Sequence, residues 1–272
     1  MSRITQCFNR LADEGGKALI SFVTAGDPTA SVTVPLLHGL AAAGSDIIEL
    51  GVPFSDPMAD GPVIQRASER ALAAGISLKD VLEMAKTFRT QNSQTPLVLM
   101  GYANPIEVMG YAKFVAEASD AGIDGILTVD LPPEEAAPLV ETTRQYNLDP
   151  IFLLAPNTSK ERITRISEQS SGFLYYVSLK GVTGAGHLDI ASVAKKVSEI
   201  KTLTNLPIGV GFGVKDGESA SRVAGIGDAV VIGSVLVEKI EALANSPDNI
   251  PQKVSSIVAK MRTAIDNPNT SY

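Results

Sequence analysis

Eight short apolar segments, each followed by a helical pattern, constrain the fold of this chain more than any other feature. They are rich in β-branched residues and bounded by Gly, Pro and Asp. Most are apolar throughout rather than alternating, which is typical of parallel strands covered on both faces. The segments cover residues 18–26, 46–53, 96–104, 125–132, 150–156, 172–179, 207–213 and 228–234.

Helical patterns with start signals lie between the apolar segments. Ser77 with Asp80 has the spacing of an N-terminal capping box, and Thr158 with Glu161 has the same spacing. Residues 1–16 add an amphipathic N-terminal helix with apolar residues on one side. Strand and helix therefore alternate from residue 18 to the end of the sequence.

Eight βα units in 272 residues predict a single-domain (β/α)8 TIM barrel over residues 1–272, with the extra N-terminal helix in front of it. An open doubly wound sheet is the alternative. No Ser/Gly linker or composition shift divides the chain. The connection between the second and third strands is the longest, because it holds a loop at 53–61 and an additional short helix at 62–75.

Composition excludes several classes of function. The net charge is −7 and the pI is near 5.0, which disfavours a nucleic-acid or anionic membrane partner. One cysteine gives no disulfide framework, and two histidines without paired cysteines predict no metal site. The N-terminus lacks the apolar core of a signal peptide, and no run reaches the roughly 18 apolar residues of a membrane span. We expect a cytoplasmic protein.

Two carboxylates are the candidate catalytic residues, because active sites of barrels lie at the C-terminal ends of the strands. Glu49 lies within an apolar strand, where desolvation would raise its pKa towards the range useful for proton transfer. The alternative is a structural carboxylate bonded to backbone amides or to a lysine. Asp60 lies in a polar turn and is expected to be ionised. The alternatives for Asp60 are a solvated loop acid or a cap of the helix that begins near Pro62.

Glycines at the ends of strands seven and eight predict a phosphate site. They lie in GVGFG at 209–213 and IGS at 232–234, and a helical pattern begins at Ser234. Glycine lets the backbone approach a ligand, and a helix N-terminus presents free amides to an anion. Ordinary tight turns are the alternative.

A third glycine-rich stretch, LKGVTGAGHLD at 179–189, predicts a mobile lid, with an ordinary flexible loop as the alternative.

The motifs closely resemble those of the α subunits of tryptophan synthase. The most distinctive piece is IIELGVPFSDPMADGP at 47–62, and the likeness spans nearly the whole chain. Two departures are Leu179-Lys180, where the family often has Arg-Ala, and Met100, where leucine is frequent. The remaining matching motifs, in chain order, are FVTAGDP, GYANPI, DLPPEE, GVTGA, GVGFGV and VVIGS.

The resemblance implies a (β/α)8 barrel that cleaves indole-3-glycerol phosphate into indole and glyceraldehyde 3-phosphate. It implies that Glu49 is the general acid and base, and that Asp60 binds the indole N–H. Leu127 and Leu153 are further expected to line the indole pocket. The substrate-binding residues implied by the resemblance are Phe22, Met100, Tyr175, Thr183, Gly184, Phe212, Gly213, Gly233 and Ser234.

The resemblance implies no cofactor in this chain. Pyridoxal phosphate is expected in a partner β subunit, with which the chain would form an α2β2 heterotetramer. The 53–61 loop, the 179–189 stretch and Asn104 would lie towards that partner.

Two other functions remain as alternatives. One is another phosphosugar barrel, such as an indole-glycerol-phosphate synthase or a sugar-phosphate isomerase. Such a synthase needs a lysine at a strand end, and only Lys180, just after a strand, comes near this position. The other is a non-catalytic module that binds the phosphate ligand and regulates a partner. The presence of both Glu49 and Asp60 argues against that module.

Overall fold

The computed structural model describes residues 1–177, 190–211 and 213–267. Eight parallel strands form a closed barrel in chain order, and β8 pairs back onto β1. The predicted (β/α)8 barrel is confirmed, and the open sheet is excluded by this closure. The strands are β1 (Ala18–Thr24), β2 (Ile47–Gly51), β3 (Leu97–Gly101), β4 (Gly125–Thr128), β5 (Asp149–Leu154), β6 (Leu174–Val177), β7 (Ile208–Gly211) and β8 (Ala229–Ile232).

The helices surround the barrel, except for the first, which precedes β1. The extra helix predicted between the second and third strands is present as α3. The helices are α1 (Arg3–Asp13), α2 (Ala30–Ala42), α3 (Pro62–Ala73), α4 (Leu78–Arg89), α5 (Ala103–Met109), α6 (Tyr111–Asp120), α7 (Ala137–Gln145), α8 (Lys160–Gln169), α9 (Ile190–Lys201), α10 (Gly217–Ala224), α11 (Ser234–Ala242) and α12 (Ile250–Asp266). Among the described residues, no helix combines the length and apolar character needed to cross a membrane.

Of the two predicted N-terminal helix caps, that of α4 is confirmed and that of α8 is wrong. Ser77 and Asp80 form the capping box at the start of α4, as predicted. The prediction that Thr158 caps α8 is wrong. Ser159 is the N-cap, because its extended backbone places its hydroxyl against the amide of Arg162 at 3.3 Å. The Thr158 hydroxyl instead accepts the amide of Ala155 at 2.9 Å within the preceding turn.

The strands divide the core into two layers. Alternate residues point into the barrel, where Ile20, Val98 and Phe173 belong to one buried apolar cluster, and the others pack beneath the outer helices. The buried face of α1, with Ile4 and Phe8, joins the inner cluster. The predicted N-terminal helix is thus confirmed, and it covers the N-terminal end of the barrel.

Carboxylates at the starts of three strands hold this N-terminal end together. Asp46, Asp124 and Asp228 accept backbone amides near the starts of β1, β3 and β7, those of Leu19, Leu97 and Ile208, at 2.8–2.9 Å. Each also pairs with a cation, such as Arg89 at 2.6 Å from Asp124. These acids have structural roles at the N-terminal ends of the strands. The candidate catalytic residues lie at the opposite, C-terminal end of the barrel.

Candidate active site

Glu49 is the central feature of the C-terminal half of the barrel. It lies in the middle of β2, where Ile48 and Leu50 point outward to the helices and Glu49 points inward. Its register partners are Phe22 on β1 and Val98 on β3. The side chain therefore enters the apolar interior rather than the solvent.

The carboxyl group of Glu49 is completely buried. Neither of its oxygens has a hydrogen-bond partner in the part of the chain that the structure describes. Burial raises the pKa of Glu49 to about 8, because the charged form loses its hydration. The alternative of a carboxylate bonded to amides or a lysine finds no support among these residues.

Asp60 lies on the loop between β2 and α3 and is half-buried. The hydroxyl of Tyr102 donates to its Oδ2 at 2.9 Å. Burial raises the pKa of Asp60, and the hydrogen bond from Tyr102 opposes that rise. The alternative of a solvated loop acid does not fit this environment, because Asp60 is half-buried and bonded to Tyr102. Asp60 is also not the cap of α3, since Gly61 occupies that position.

An apolar cleft lies beside Asp60. Phe22, Met100 and Tyr102 line it, as do Ile64 and Val129. Leu127 and Leu153 belong to the inward-facing cluster of the barrel rather than to this cleft. The structure thus brings the predicted pocket residues Phe22 and Met100 together with Asp60.

Tyr175 on β6 lies close to both acids. Burial raises its pKa well above the usual range, and the charges of Glu49 and Asp60 add to that rise. Its ring also lies tightly against β7, because a Cβ built on Gly211 would be 2.6 Å from Tyr175 Cε1. Tyr175 is therefore fixed within electrostatic reach of Glu49 and Asp60.

The predicted phosphate residues lie at the neighbouring strand ends. Gly213 has a φ of 46°, which favours glycine, and there is open space where its side chain would be. Gly233 directly precedes α11, and Ser234 is the first residue of that helix. The first turn of a helix has free amides and the positive end of the helix dipole. A Cβ on Gly233 would lie 3.4 Å from Phe22, so this turn adjoins the apolar cleft.

Several predicted residues lie outside the described residues. These are Thr183, Gly184 and Phe212, together with the whole 179–189 stretch. Among the described residues, no group of three or more His, Cys, Asp or Glu is placed to hold a metal ion.

Two interactions near the site are not indicated by the sequence. One is the contact of Tyr102 with Asp60, for which the only signal was an aromatic residue directly after a strand. The other joins α3 to α11: Arg70 binds the buried carboxylate of Asp27 through two hydrogen bonds, at 2.7 and 2.9 Å, and also binds Glu241. Because these partners are distant in sequence, no local pattern indicates them.

The eight strands close into a barrel, and the C-terminal half of that barrel holds a buried carboxyl group, an apolar cleft and a helix N-terminus. Because the active sites of such barrels lie at this end, the molecule is a (β/α)8-barrel enzyme. The family model described as "Tryptophan synthase alpha chain" matches residues 8–266. The chain belongs to the tryptophan synthase alpha chain family. The predicted family and the predicted lyase of tryptophan biosynthesis are therefore confirmed.

Individual relatives agree over nearly the full length. The tryptophan synthase alpha chain of Nitrosococcus oceani is 57% identical over 266 residues, which cover 98% of both chains. That of Methylococcus capsulatus is 55% identical and covers 98% of this chain and all of its own. The crystal structure of tryptophan synthase subunit alpha from Legionella pneumophila str. Paris has a TM-score of 0.93 at 43% identity, covering 98% of this chain and 99% of its own.

Proposed function

We propose that this chain cleaves indole-3-glycerol phosphate into indole and glyceraldehyde 3-phosphate at the C-terminal end of its barrel, with Glu49 as general acid and base. The observation that best supports the proposal is the complete burial of a carboxyl group with no hydrogen-bond partner among the described residues. Burying such a group without a partner costs free energy, so its presence in the barrel favours a functional role. It also fits the reaction, which needs proton transfer inside an apolar pocket.

The reaction breaks the bond between indole C3 and the adjacent carbon of the glycerol chain. C3 gains a proton, and the hydroxyl on that adjacent carbon loses a proton as its carbonyl forms. The electron pair of the broken bond then restores the aromatic ring. A pKa of about 8 keeps Glu49 protonated at neutral pH, so it begins as the acid at C3. The resulting carboxylate then accepts the proton of the hydroxyl, and Glu49 returns to its initial state.

Asp60 is proposed to supply the negative charge that stabilises the protonated indole. Protonation of C3 leaves positive charge on the indole nitrogen, and an ionised carboxylate near that N–H stabilises it. The indole ring is proposed to bind against Phe22 and Met100, which line the cleft beside Asp60. The proposal therefore assigns the proton to the buried Glu49 and the negative charge to Asp60, which is a common division of roles between two carboxylates.

The phosphate group is proposed to bind where β7 and β8 end. Gly213, Gly233 and Ser234 would supply backbone amides and a hydroxyl, with the N-terminus of α11 facing the anion. Phe22, adjacent to Gly233, places this site next to the indole cleft. Tyr175, Thr183, Gly184 and Phe212 are proposed as further substrate contacts.

The partner proposed for this chain is a tryptophan synthase β subunit that holds pyridoxal phosphate, with no cofactor in the chain itself. An α2β2 heterotetramer and a cytoplasmic location complete the proposal. A tryptophan synthase complex from Pyrococcus furiosus contains a chain 36% identical to this one with a TM-score of 0.81, over 90% of this chain and 97% of its own. Two large apolar residues, Met58 and Val108, are also more than 80% exposed on the 53–61 loop and α5.

Indole formation from indole-3-glycerol phosphate by the purified chain tests this function, first alone and then with a β subunit added. We expect indole and glyceraldehyde 3-phosphate in equal amounts. Binding of the phosphate ligand without any indole would indicate a regulatory module. Isomerisation of a sugar phosphate, or synthesis of indole-3-glycerol phosphate from its anilino precursor, would indicate another phosphosugar barrel.

A further inference from the structure

We propose that Tyr102 is a positioning residue that holds the Asp60 carboxylate in the orientation needed to accept the indole N–H. The inference rests on the role proposed above for Asp60. It assigns a function to a residue that does not itself have to contact the substrate.

Both hydrogen-bonding capacities of the Tyr102 hydroxyl are used in the structure. It donates to Asp60 Oδ2 at 2.9 Å and accepts the amide of Ala59 at 3.0 Å. The residue is 4% exposed, so water competes little for either bond. A hydroxyl with its donor and its acceptor both engaged has one favoured orientation. The Asp60 carboxylate is thereby fixed from one side, and its other oxygen accepts no hydrogen bond from the residues that the structure describes.

The ring of Tyr102 holds the same loop at a second point. It stacks on Phe54 with ring centroids 4.9 Å apart and an interplanar angle of 26°. Phe54 and Asp60 lie at opposite ends of the 53–61 loop, while Tyr102 directly follows β3. The register of Gly51 with Met100 joins β3 to β2 at this height in the barrel. Tyr102 therefore anchors the loop that bears Asp60 to the end of β3.

The hydroxyl also affects the charge of Asp60. Burial raises the pKa of Asp60, and the hydrogen bond from Tyr102 lowers it. In the part of the chain that the structure describes, the other titratable groups with a charge effect on this pair are Tyr175 on β6, Glu49 on β2 and Asp130 after β4. All of these are acids or phenols, and none of them is a cation that would favour an ionised Asp60. Among the described residues, the Tyr102 hydroxyl is thus the group that lowers the pKa of Asp60 against the effect of burial.

The variant Tyr102→Phe retains the ring and its stacking on Phe54 but removes the hydroxyl. We expect kcat/KM for indole release at neutral pH to fall by about 10-fold to 100-fold, because the carboxylate is no longer fixed. The acidic limb of the pH profile should move up by about one pH unit, since a hydrogen bond to the charged form is lost. Tyr111→Phe is the matched control, because Tyr111 also donates to a carboxylate, that of Glu107, but outside the site. It should leave kcat/KM and the acidic limb unchanged.

A double-variant cycle separates positioning from a merely structural effect. If Tyr102 acts through Asp60, Asp60→Asn should lose activity and Tyr102→Phe should add little further loss in that background. An equal loss in both backgrounds would overturn the proposal and indicate general weakening of the loop. The proposal would also be overturned if the single variant Tyr102→Phe had normal kinetics while the single variant Asp60→Asn lost activity. Normal kinetics of Asp60→Asn itself would refute the role of Asp60, and the inference about Tyr102 with it.

Discussion

Phe22 on β1 pairs in register with Glu49 on β2, and the same phenylalanine lies against the turn at Gly233 that begins α11. One aromatic residue therefore lies between the buried carboxyl group and the helix N-terminus proposed to bind phosphate. The same phenylalanine lines the apolar cleft beside Asp60, where the indole ring is proposed to bind.

The pH dependence of the reaction should show the raised pKa of Glu49. Because Glu49 must be protonated to begin as an acid and Asp60 must be ionised, kcat/KM should follow a bell-shaped profile. The alkaline limb should fall near pH 8, where Glu49 loses its proton. Steady-state indole release from about pH 5 to about pH 10 measures this. A profile that stays flat well above pH 9 would contradict the assignment.

The same carboxyl group should make stability depend on pH. The pKa of Glu49 is about 8 in the folded chain and 4.5 for an unperturbed glutamate, so between these values the folded state binds the additional proton. Stability from this group is therefore complete below about pH 4.5 and is lost as the pH rises through 8. Relative to wild type, Glu49→Gln should gain stability as the pH rises, by on the order of a few kcal/mol. Urea unfolding of both proteins at about pH 5 and about pH 8.5 measures the change. An equal difference at both values would refute the prediction.

Ser234 should contribute to phosphate binding rather than to proton transfer. Removing its hydroxyl in Ser234→Ala takes away one donor at the start of α11 and leaves the helix amides in place. We expect the Kd for glyceraldehyde 3-phosphate to rise by about 10-fold, with a smaller change in kcat. Calorimetric titration measures the affinity. Ser256→Ala is the control, since that exposed hydroxyl donates to the carbonyl of Lys253 within α12. Equal effects of the two variants would argue against a phosphate site.

The Arg70–Asp27 pair should be the most costly ion pair to break near the site. The Asp27 side chain is fully buried, so Arg70→Met leaves a buried charge without its principal partner. We expect a loss of about 3 kcal/mol in the free energy of unfolding near pH 8. Because burial already raises the pKa of Asp27, the loss should be smaller near pH 5, where Asp27 protonates more readily.

Arg162→Met provides the comparison for that ion pair. Arg162 binds Glu134 at 2.8 Å, but both side chains are more than 40% exposed. Water and salt screen such a pair, so its loss should cost much less free energy of unfolding than the loss of Arg70. Urea unfolding measures both variants. A similar cost for the buried and the exposed pair would contradict the reading of Asp27 as a desolvated charge.

The sequence predicts the barrel well because its strands are continuous apolar runs and its helices have periodic apolar faces. These are local patterns, and burial on both faces of a parallel sheet produces them directly. Glu49 could also be identified as exceptional, because a carboxylate in an apolar run is expensive unless it has a partner or a function.

The surroundings of Asp60 could not be predicted in the same way. Its sequence neighbours are polar and proline-rich, which indicates an open turn, but the fold places Tyr102 and a buried cleft beside it. Tyr102 lies 42 residues away, so the contact exists only after the barrel has closed. The Arg70–Asp27 pair, 43 residues apart, was missed for the same reason.

The most direct test of the account is the rate of indole release by Glu49→Gln, measured beside its affinity for glyceraldehyde 3-phosphate. Glutamine retains the size of the side chain but can neither donate nor accept the proton that the reaction transfers. We expect phosphate-ligand affinity to be retained while indole release falls by at least about 100-fold. Near-normal indole release by this variant would show that Glu49 is not the acid–base group.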